Sequence, residues 1–235
     1  MAFTITAEGY PTDHQTTIAW AREGTEFLLN AVAALSDDEL DAPSALPDWT
    51  RRHVCAHVAR NAEALGRLLA WARTGVETPM YPSAEEREAD IERTSQAPAD
   101  DIRTDLALAS TAFLSACDDF PSRAWTATVR TMAREIPAAV VPWYRVREVW
   151  IHAADLGASV GFADFPAAVS AALVTELSTG LGTRSAADLL LVGTDVGQEW
   201  TVGAGTVRVE APVAELAEWL TGRTTRAEAD LPTWL

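Results

Sequence analysis

Glu148 and His152 are the two residues whose types and spacing most directly indicate chemistry in this sequence. They lie four residues apart in the predominantly apolar stretch 142–156. Side chains at positions i and i+4 of an α-helix point to the same side, so this carboxylate and this imidazole can converge on one metal ion. A third ligand must then come from elsewhere in the chain. The sequence contains only four histidines, which are His14, His53, His57 and His152.

His57 is the strongest candidate for the third ligand. It lies in a predicted helix with an apolar stripe that runs through Val54 and Leu68. On a helical wheel His57 falls within roughly 60° of that stripe, so its ring is expected to face the interior. His53 falls toward the flank, where we expect it to cap the helix or to pack locally. An H-x-x-x-H pair of His53 and His57 is the alternative ligand set.

This combination of residue types suits a catalytic metal site. Two imidazoles and one carboxylate leave an open position on a divalent ion, as in Zn²⁺ enzymes, although non-haem iron uses the same ligands. Helical bundles build such sites from inward side chains of facing helices. The alternative interpretation is structural: Glu148 pairs with Arg145 or Arg147, and each histidine is a hydrogen-bonded core residue.

The charge balance limits the partners. The formal net charge is −16, from 34 acidic and 18 basic residues. Such a surface repels phosphate backbones and anionic membranes, so neither nucleic acid nor a membrane is an expected partner. Every basic residue is an arginine. The absence of lysine excludes Schiff-base chemistry, which needs a lysine amine.

The chain is expected to be cytoplasmic. Its first eight residues have neither a basic region nor a long apolar region, and no apolar run approaches the ~20 residues that cross a bilayer. Cys55 and Cys117 are too few for a disulfide framework and suit a reducing compartment. Cys55 lies two residues from His57, and such neighbours face different ways on a helix, which argues against a Cys/His nucleophile.

Hydrophobic periodicity predicts a helical region followed by a mixed one. Four amphipathic helices are expected, over 13–36, from a cap at Asp48 or Thr50 to 75, over 101–119 and from 142 onward. Residues 75–99 are expected to form a loop with a short solvated helix, and residues 125–129 have a β-like composition.

The composition changes after Gly161. Helices are predicted over 166–181 and 212–220, with three short strands between them over 188–192, 199–202 and 206–210. The sequence therefore predicts a mainly α protein. An antiparallel four-helix bundle is expected over residues 1–162, followed by a small α/β domain over residues 163–235.

Three segments of the sequence resemble the mycothiol-dependent maleylpyruvate isomerase family. They are Leu46–Asn61, Gly75–Ser83 and Arg147–Gly157, and the likeness extends over nearly the whole chain. The resemblance implies a DinB-like four-helix bundle joined to a small α/β domain, in the order predicted here. It also implies a divalent metal, Zn²⁺ or another dication, and mycothiol as the thiol cofactor.

The resemblance also implies roles for individual residues. By motif position, His57, Glu148 and His152 would be the metal ligands. Arg223, at the end of the last predicted helix, would be a catalytic and substrate-binding arginine, and Arg226 is its nearest competitor. The alternative for Arg223 is an ordinary C-terminal cation that satisfies the last carbonyls of the helix.

Asp155 and Tyr81 are further candidates. Asp155 lies three residues after His152 and could orient that ring from the side away from the metal; the alternative is a surface carboxylate. Tyr81 lies in a proline-rich loop, where it could line the cleft and offer a phenol to a substrate oxygen. The alternative is that Tyr81 simply packs.

The implied activity is the conversion of maleylpyruvate, or a similar cis-enone acid, to its trans isomer by thiolate addition, rotation and elimination. A mycothiol S-transferase, which conjugates the thiol to an electrophile for detoxification or biosynthesis, is the main alternative because it uses the same metal platform. A non-catalytic metal- or thiol-binding module is the third interpretation. The expected partners are a small thiol and a small electrophilic acid.

Overall fold

The computed structural model describes residues 4–185, 187–227, 229 and 231. The chain divides into two compact units. One unit spans Asp13–Val160, and the other joins the described residues of 1–12 to those of 161–235. The segment 4–12 therefore groups with the C-terminal unit, whereas the sequence predicts a bundle that includes it.

Close packing of Gly9 accounts for this grouping. Gly9 has a φ of +85°, and a Cβ placed on it would lie 2.8 Å from Oγ1 of Thr179. Glycine alone combines this left-handed backbone with such a close approach at little cost. The segment also closes on itself through a bridge between Ile5 and Pro11. Contacts between residues so far apart in sequence leave no trace in helical periodicity.

The unit Asp13–Val160 is a four-helix bundle with two shorter helices. Its α-helices are α1 (His14–Ala33), α2 (Asp37–Asp41), α3 (Arg51–Thr74), α4 (Ala84–Ser95), α5 (Ala99–Asp118) and α6 (Val141–Asp155). Helix α3 packs against both α5 and α6, and α1 packs against the same two helices. The long helices α1, α3, α5 and α6 therefore surround a common core, as predicted, and α3 lies beside α6.

Local signals determine where α3 begins and ends. The backbone N–H and the hydroxyl of Thr50 lie 3.2 and 2.8 Å from Nδ1 of His53, which closes the first turn. Asp48 has a φ of +63° and precedes the helix, so Thr50 is the N-cap. Gly75 ends the helix with a φ of +75°, and its N–H donates to the Trp71 carbonyl at 2.8 Å. His53 therefore acts at the helix start.

The C-terminal end of α6 is held by residues at the start of α3 and just before it. The guanidinium of Arg51 donates to the carbonyls of Leu156 and Gly157 at 2.6 and 2.9 Å. The N–H of Ala45 donates to the carbonyl of Asp155 at 2.9 Å. Carbonyls at a helix C-terminus lack intrahelical partners and need such donors. Because Arg51 is the first residue of α3, these bonds fix the spacing of α3 and α6.

The connection between α5 and α6 differs in part from the prediction. Ser122–Thr126 forms a 3₁₀ helix, and strand β1 (Thr128–Arg130) begins after it and pairs with β2 (Glu135–Pro137) in antiparallel fashion. Trp125 explains the difference. It is 7% exposed, and its ring stacks on His14 with 4.4 Å between the centroids. Tertiary packing therefore overrides the β-like composition.

The C-terminal unit combines two helices with a three-stranded sheet. Its elements are α7 (Ala167–Arg184), β3 (Leu189–Gly193), β4 (Gln198–Val202), β5 (Val207–Ala211) and α8 (Val213–Leu220). The strand order is β4-β3-β5, with β3 antiparallel to β4 and parallel to β5. The predicted fold class, a helical bundle with a small α/β part, is confirmed. Within the described residues, no helix has the length and apolar character needed to cross a membrane.

Candidate metal centre

The three predicted ligands meet between α3 and α6. Nε2 of His57, on α3, lies 2.9 Å from Oε2 of Glu148 and 3.0 Å from Nε2 of His152. The same Oε2 lies 3.3 Å from Nε2 of His152, one turn further along α6. Both histidines are buried, and the Glu148 side chain is 16% exposed. The three donor atoms form a compact, largely buried group, which we call the donor triangle.

The chemistry and the separations of the donor triangle fit a divalent ion. Zinc bonds to imidazole nitrogen and carboxylate oxygen measure about 2.0–2.2 Å, so two donors on one tetrahedral ion stand about 3.3–3.5 Å apart. The edges of the triangle, at 2.9, 3.0 and 3.3 Å, are close to this separation. Two imidazoles and one carboxylate leave one tetrahedral position open, which is the pattern of catalytic rather than structural sites.

The protonation states of Glu148 and His57 favour metal binding. Burial alone would raise the pKa of Glu148, but hydrogen bonds from His152 and His57 outweigh it and hold this pKa well below its ordinary value. Burial lowers the pKa of His57, and the nearby Glu148 carboxylate only partly opposes this. At neutral pH Glu148 is therefore an anion and His57 a neutral imidazole, the forms that coordinate metals.

Asp155 lies behind His152. Its Oδ2 accepts a hydrogen bond from Nδ1–H of His152 at 2.8 Å, and its side chain is buried. Burial alone would lower the pKa of His152, but the bonds to Asp155 and Glu148 outweigh it and raise this pKa to about 9. Once the ring carries a single proton, the bond to Asp155 holds that proton on Nδ1, and Nε2 is then the nitrogen that faces the donor triangle. The structure places Asp155 where it orients His152, and not at the surface.

Arg145 does not form an ion pair with Glu148. Its guanidinium donates to the carbonyl of Val58 at 2.7 Å, to Oδ1 of Asn61 at 3.3 Å and to Oγ of Ser110 at 2.8 Å. The residue is fully buried, and this burial lowers its pKa to about 10, while the charge of Glu148 opposes the shift. Arg145 thus links α3, α5 and α6 through neutral acceptors, and it leaves Glu148 to the two histidines.

Tyr81 lies close to two arginines. The guanidinium carbons of Arg67 and Arg87 lie 5.9 and 5.8 Å from the centroid of its ring. Tyr81 is 8% exposed, and burial raises the pKa of its phenol, so the hydroxyl is protonated at neutral pH. Arg87 in turn places Nη2 3.1 Å from Nδ1 of His57. Arg87 therefore connects Tyr81 to a residue of the donor triangle.

Arg87 is the site residue that the sequence analysis missed. It lies in the charge-rich run 85–88, within the segment 75–99 for which the sequence predicts a loop with a short solvated helix. Helix α4 does form there, capped by Ser83. Ile91, four residues after Arg87, is 2% exposed, so the two residues share the inward face of α4. That i, i+4 spacing was the signal that could have identified Arg87.

A surface cleft of about 480 Å³ lies next to His53. It is lined by the side chains of Arg52 and His53 and by residues 95–98, among others, but by none of the three donors. His53 also lies 3.2 Å from Glu92 through its Nε2. We therefore centre the candidate site on the donor triangle, and the H-x-x-x-H ligand set is not what the structure brings together.

Arg223 and Arg226 lie in the C-terminal unit, after α8. Nη1 of Arg223 donates to the carbonyl of Thr221 at 2.7 Å, which is the contact expected of a cation at a helix C-terminus. Nη2 of Arg226 donates to Glu215 at 2.7 Å. A catalytic role for Arg223 is thus a proposal that rests on the resemblance.

The family model for the mycothiol maleylpyruvate isomerase N-terminal domain matches residues 21–157, which include the donor triangle. A crystal structure of the mycothiol-dependent maleylpyruvate isomerase matches with a TM-score of 0.86 and 32% identity, over 97% of this chain and 98% of that chain. Comparison with curated proteins gave no significant match.

A second crystal structure, of a histidine-to-alanine mutant of the mycothiol-dependent maleylpyruvate isomerase, matches over the same shares of the two chains. Its TM-score is 0.85 and its identity 31%. The matched family model covers more than half of this chain, and both structures cover nearly all of it. The chain therefore belongs to the mycothiol-dependent maleylpyruvate isomerase family.

Proposed function

We propose that this protein is a metal-dependent and mycothiol-dependent isomerase that converts maleylpyruvate, or a similar cis-enone acid, to the trans isomer. The observation that carries the proposal is the donor triangle of His57, Glu148 and His152, with one coordination position left for a thiol. The two isomerase structures that match 97% of the chain support the choice of thiol and of substrate.

The three ligands would hold Zn²⁺ or another divalent ion. A thiol that binds to a dication loses its proton and becomes a thiolate. A free thiol, with a pKa of about 8.5, is only a few per cent thiolate near neutral pH. Glu148 supplies a negative charge directly to the site. Asp155 holds the Nδ1 proton of His152 and so keeps the lone pair of Nε2 directed at the donor triangle.

The thiol would supply reversible addition to the cis double bond, which allows rotation before elimination restores the bond as trans. No oxidant is needed, and no thiol is consumed. Arg223 would bind a carboxylate of the substrate, or the oxygen that gains charge during addition, through charge-assisted hydrogen bonds. Tyr81 would donate its phenol proton to a substrate oxygen, since burial keeps this hydroxyl protonated.

The test counts turnovers per thiol. Zinc-loaded protein is given maleylpyruvate with mycothiol at a concentration far below that of the substrate, and both the trans product and the free thiol are measured. Many turnovers per thiol are expected for wild type and for a His14→Gln control, and none for Glu148→Ala.

A stable thiol adduct formed in a one-to-one ratio with the electrophile would instead identify an S-transferase. Bound metal and bound thiol without any turnover would identify a binding module. Either of these two results would contradict the isomerase proposal.

A further inference from the structure

Arg87 contacts His57 in a way that is incompatible with metal coordination. A guanidinium has only donors, so Nδ1 of His57 must accept the hydrogen bond from Nη2 of Arg87 at 3.1 Å. A neutral imidazole has one N–H and one lone pair. If Nδ1 accepts, the proton is on Nε2; if Nε2 coordinates an ion, the proton is on Nδ1 and faces the guanidinium. For a neutral ring the two contacts exclude each other.

Among the described residues, the guanidinium of Arg87 forms no ion pair with a buried acid. It pairs with Glu88, whose side chain is 61% exposed, and a pair of this kind contributes little. Its own side chain is only 23% exposed, and the guanidinium packs over the ring of Tyr81. Arg87 is thus a partly desolvated cation, separated from the donor triangle by one imidazole ring.

The neighbouring arginines of the bundle are engaged in structural contacts. Arg145 donates to three neutral acceptors on α3 and α5. Nε of Arg67 donates to the carbonyl of Met80 at 2.9 Å and so ties α3 to the loop before α4. Arg87 differs from both, because the contact that it makes with His57 is the one that coordination would break.

We propose that Arg87 binds a carboxylate of the substrate beside the metal centre, and that coordination of His57 releases Arg87 for this role. The nature of the ligand, a small carboxylic acid, rests on the function proposed above. A guanidinium presents parallel N–H donors that match a carboxylate, which a lysine ammonium does not. The Tyr81 ring supports the guanidinium from one side and limits its rotation.

The test measures binding of succinate, a saturated dicarboxylate that cannot react with a thiol. Zinc-loaded wild type, Arg87→Gln, Arg87→Lys and Arg93→Gln are titrated with succinate by calorimetry. Arg93 is the matched control, since it lies on the same helix, is 68% exposed and pairs with Asp90 at the surface. A hydrogen bond to a charged group contributes about 1.5–3 kcal/mol to the binding free energy. Arg87→Gln removes the charged donor and is therefore expected to weaken succinate binding about 10–100-fold.

The two other variants sharpen the result. Arg87→Lys is expected to bind succinate with intermediate affinity, and Arg93→Gln with that of wild type. Zinc affinity is measured separately with a competing chelator. Arg87 stabilises the His57 ring with its proton on Nε2, whereas the ion requires the proton on Nδ1. Arg87→Gln is therefore expected to bind zinc as tightly as wild type or more tightly.

Three outcomes would overturn the inference: no succinate binding by the zinc-loaded wild type, equal binding by wild type and Arg87→Gln, or a tenfold loss of zinc affinity in Arg87→Gln. The last would mean that Arg87 supports the ligand His57 instead of competing with the ion. Succinate binding that follows the prediction, in a protein that does not isomerise maleylpyruvate, would support the carboxylate site and contradict only the proposed reaction.

Discussion

Replacing Asp155 by asparagine tests how much the Asp155 carboxylate, hydrogen-bonded to Nδ1 of His152, contributes to metal binding. The substitution preserves the size of the side chain and one acceptor oxygen, but it removes the negative charge 2.8 Å from Nδ1. Carboxylates in this position typically contribute about 10–100-fold to metal affinity. We therefore expect Asp155→Asn to weaken zinc binding by about 10–100-fold under conditions where no proton competes for His152.

Proton competition makes this loss depend on pH. The pKa of His152 is about 9, so at pH 7 the wild-type ring must release a proton before it coordinates zinc. Below this pKa the competition lowers the apparent zinc affinity, and it does so more strongly as the pH falls. Without the Asp155 carboxylate the pKa of His152 is lower, so proton competition reduces the zinc affinity of the variant less than that of wild type. The affinities of the two proteins should therefore differ most near pH 9 and converge toward pH 7.

The assay is competition for zinc with a chromophoric chelator at pH 7, 8 and 9. Asp118→Asn is the control, because Asp118 is a carboxylate that is 54% exposed and pairs with Arg22 at the surface. The control should match wild type at each pH. Equal zinc affinity of Asp155→Asn and wild type at pH 9, or a difference that stays constant from pH 7 to pH 9, would refute the role assigned to Asp155.

Three predictions concern stability, measured by chemical unfolding with a chelator present. Arg51→Ala should lower the free energy of unfolding by about 1–3 kcal/mol, because the carbonyls of Leu156 and Gly157, just after α6, lose their donors. An unchanged value would contradict the role assigned to Arg51. Arg145→Met should lower it by about 3 kcal/mol or more, since three buried acceptors lose their donor, and a loss under about 1 kcal/mol would contradict this. Gly9→Ala should destabilise the protein by about 1–3 kcal/mol, because alanine is strained at a φ of +85°. The control Gly66→Ala lies in the middle of a helix with no atom within 4 Å of the added Cβ, and it should stabilise the protein by about 0.5–1 kcal/mol. Equal effects of the two substitutions would contradict strain at Gly9.

The residues of the donor triangle could be predicted from the sequence because their geometry is mostly local. The i, i+4 spacing of Glu148 and His152 is a property of any α-helix, and the apolar stripe of α3 showed that His57 faces inward. The remaining requirement was that α3 and α6 be neighbours. A four-helix bundle leaves few arrangements of its long helices, and the structure shows this one.

The features that sequence reasoning missed depend on contacts between distant segments. Gly9 packs against α7, more than 160 residues later, and Trp125 stacks on His14 instead of extending a strand. Arg87 reaches His57 from a helix whose charge-rich sequence indicated only a solvated face. Periodicity describes one element at a time, so it identifies the inward face of α4 but not the side chain that this face meets.

The zinc content of single variants tests the central claim most directly. Wild type, His57→Ala, Glu148→Ala, His152→Ala and the control His53→Ala would be purified without chelators, and the zinc in each would be measured by mass spectrometry. The structure predicts about one zinc per chain in wild type and in His53→Ala, and far less than one in the other three. Zinc at wild-type levels in those three variants, or a wild type that binds none, would contradict the donor triangle as a metal centre.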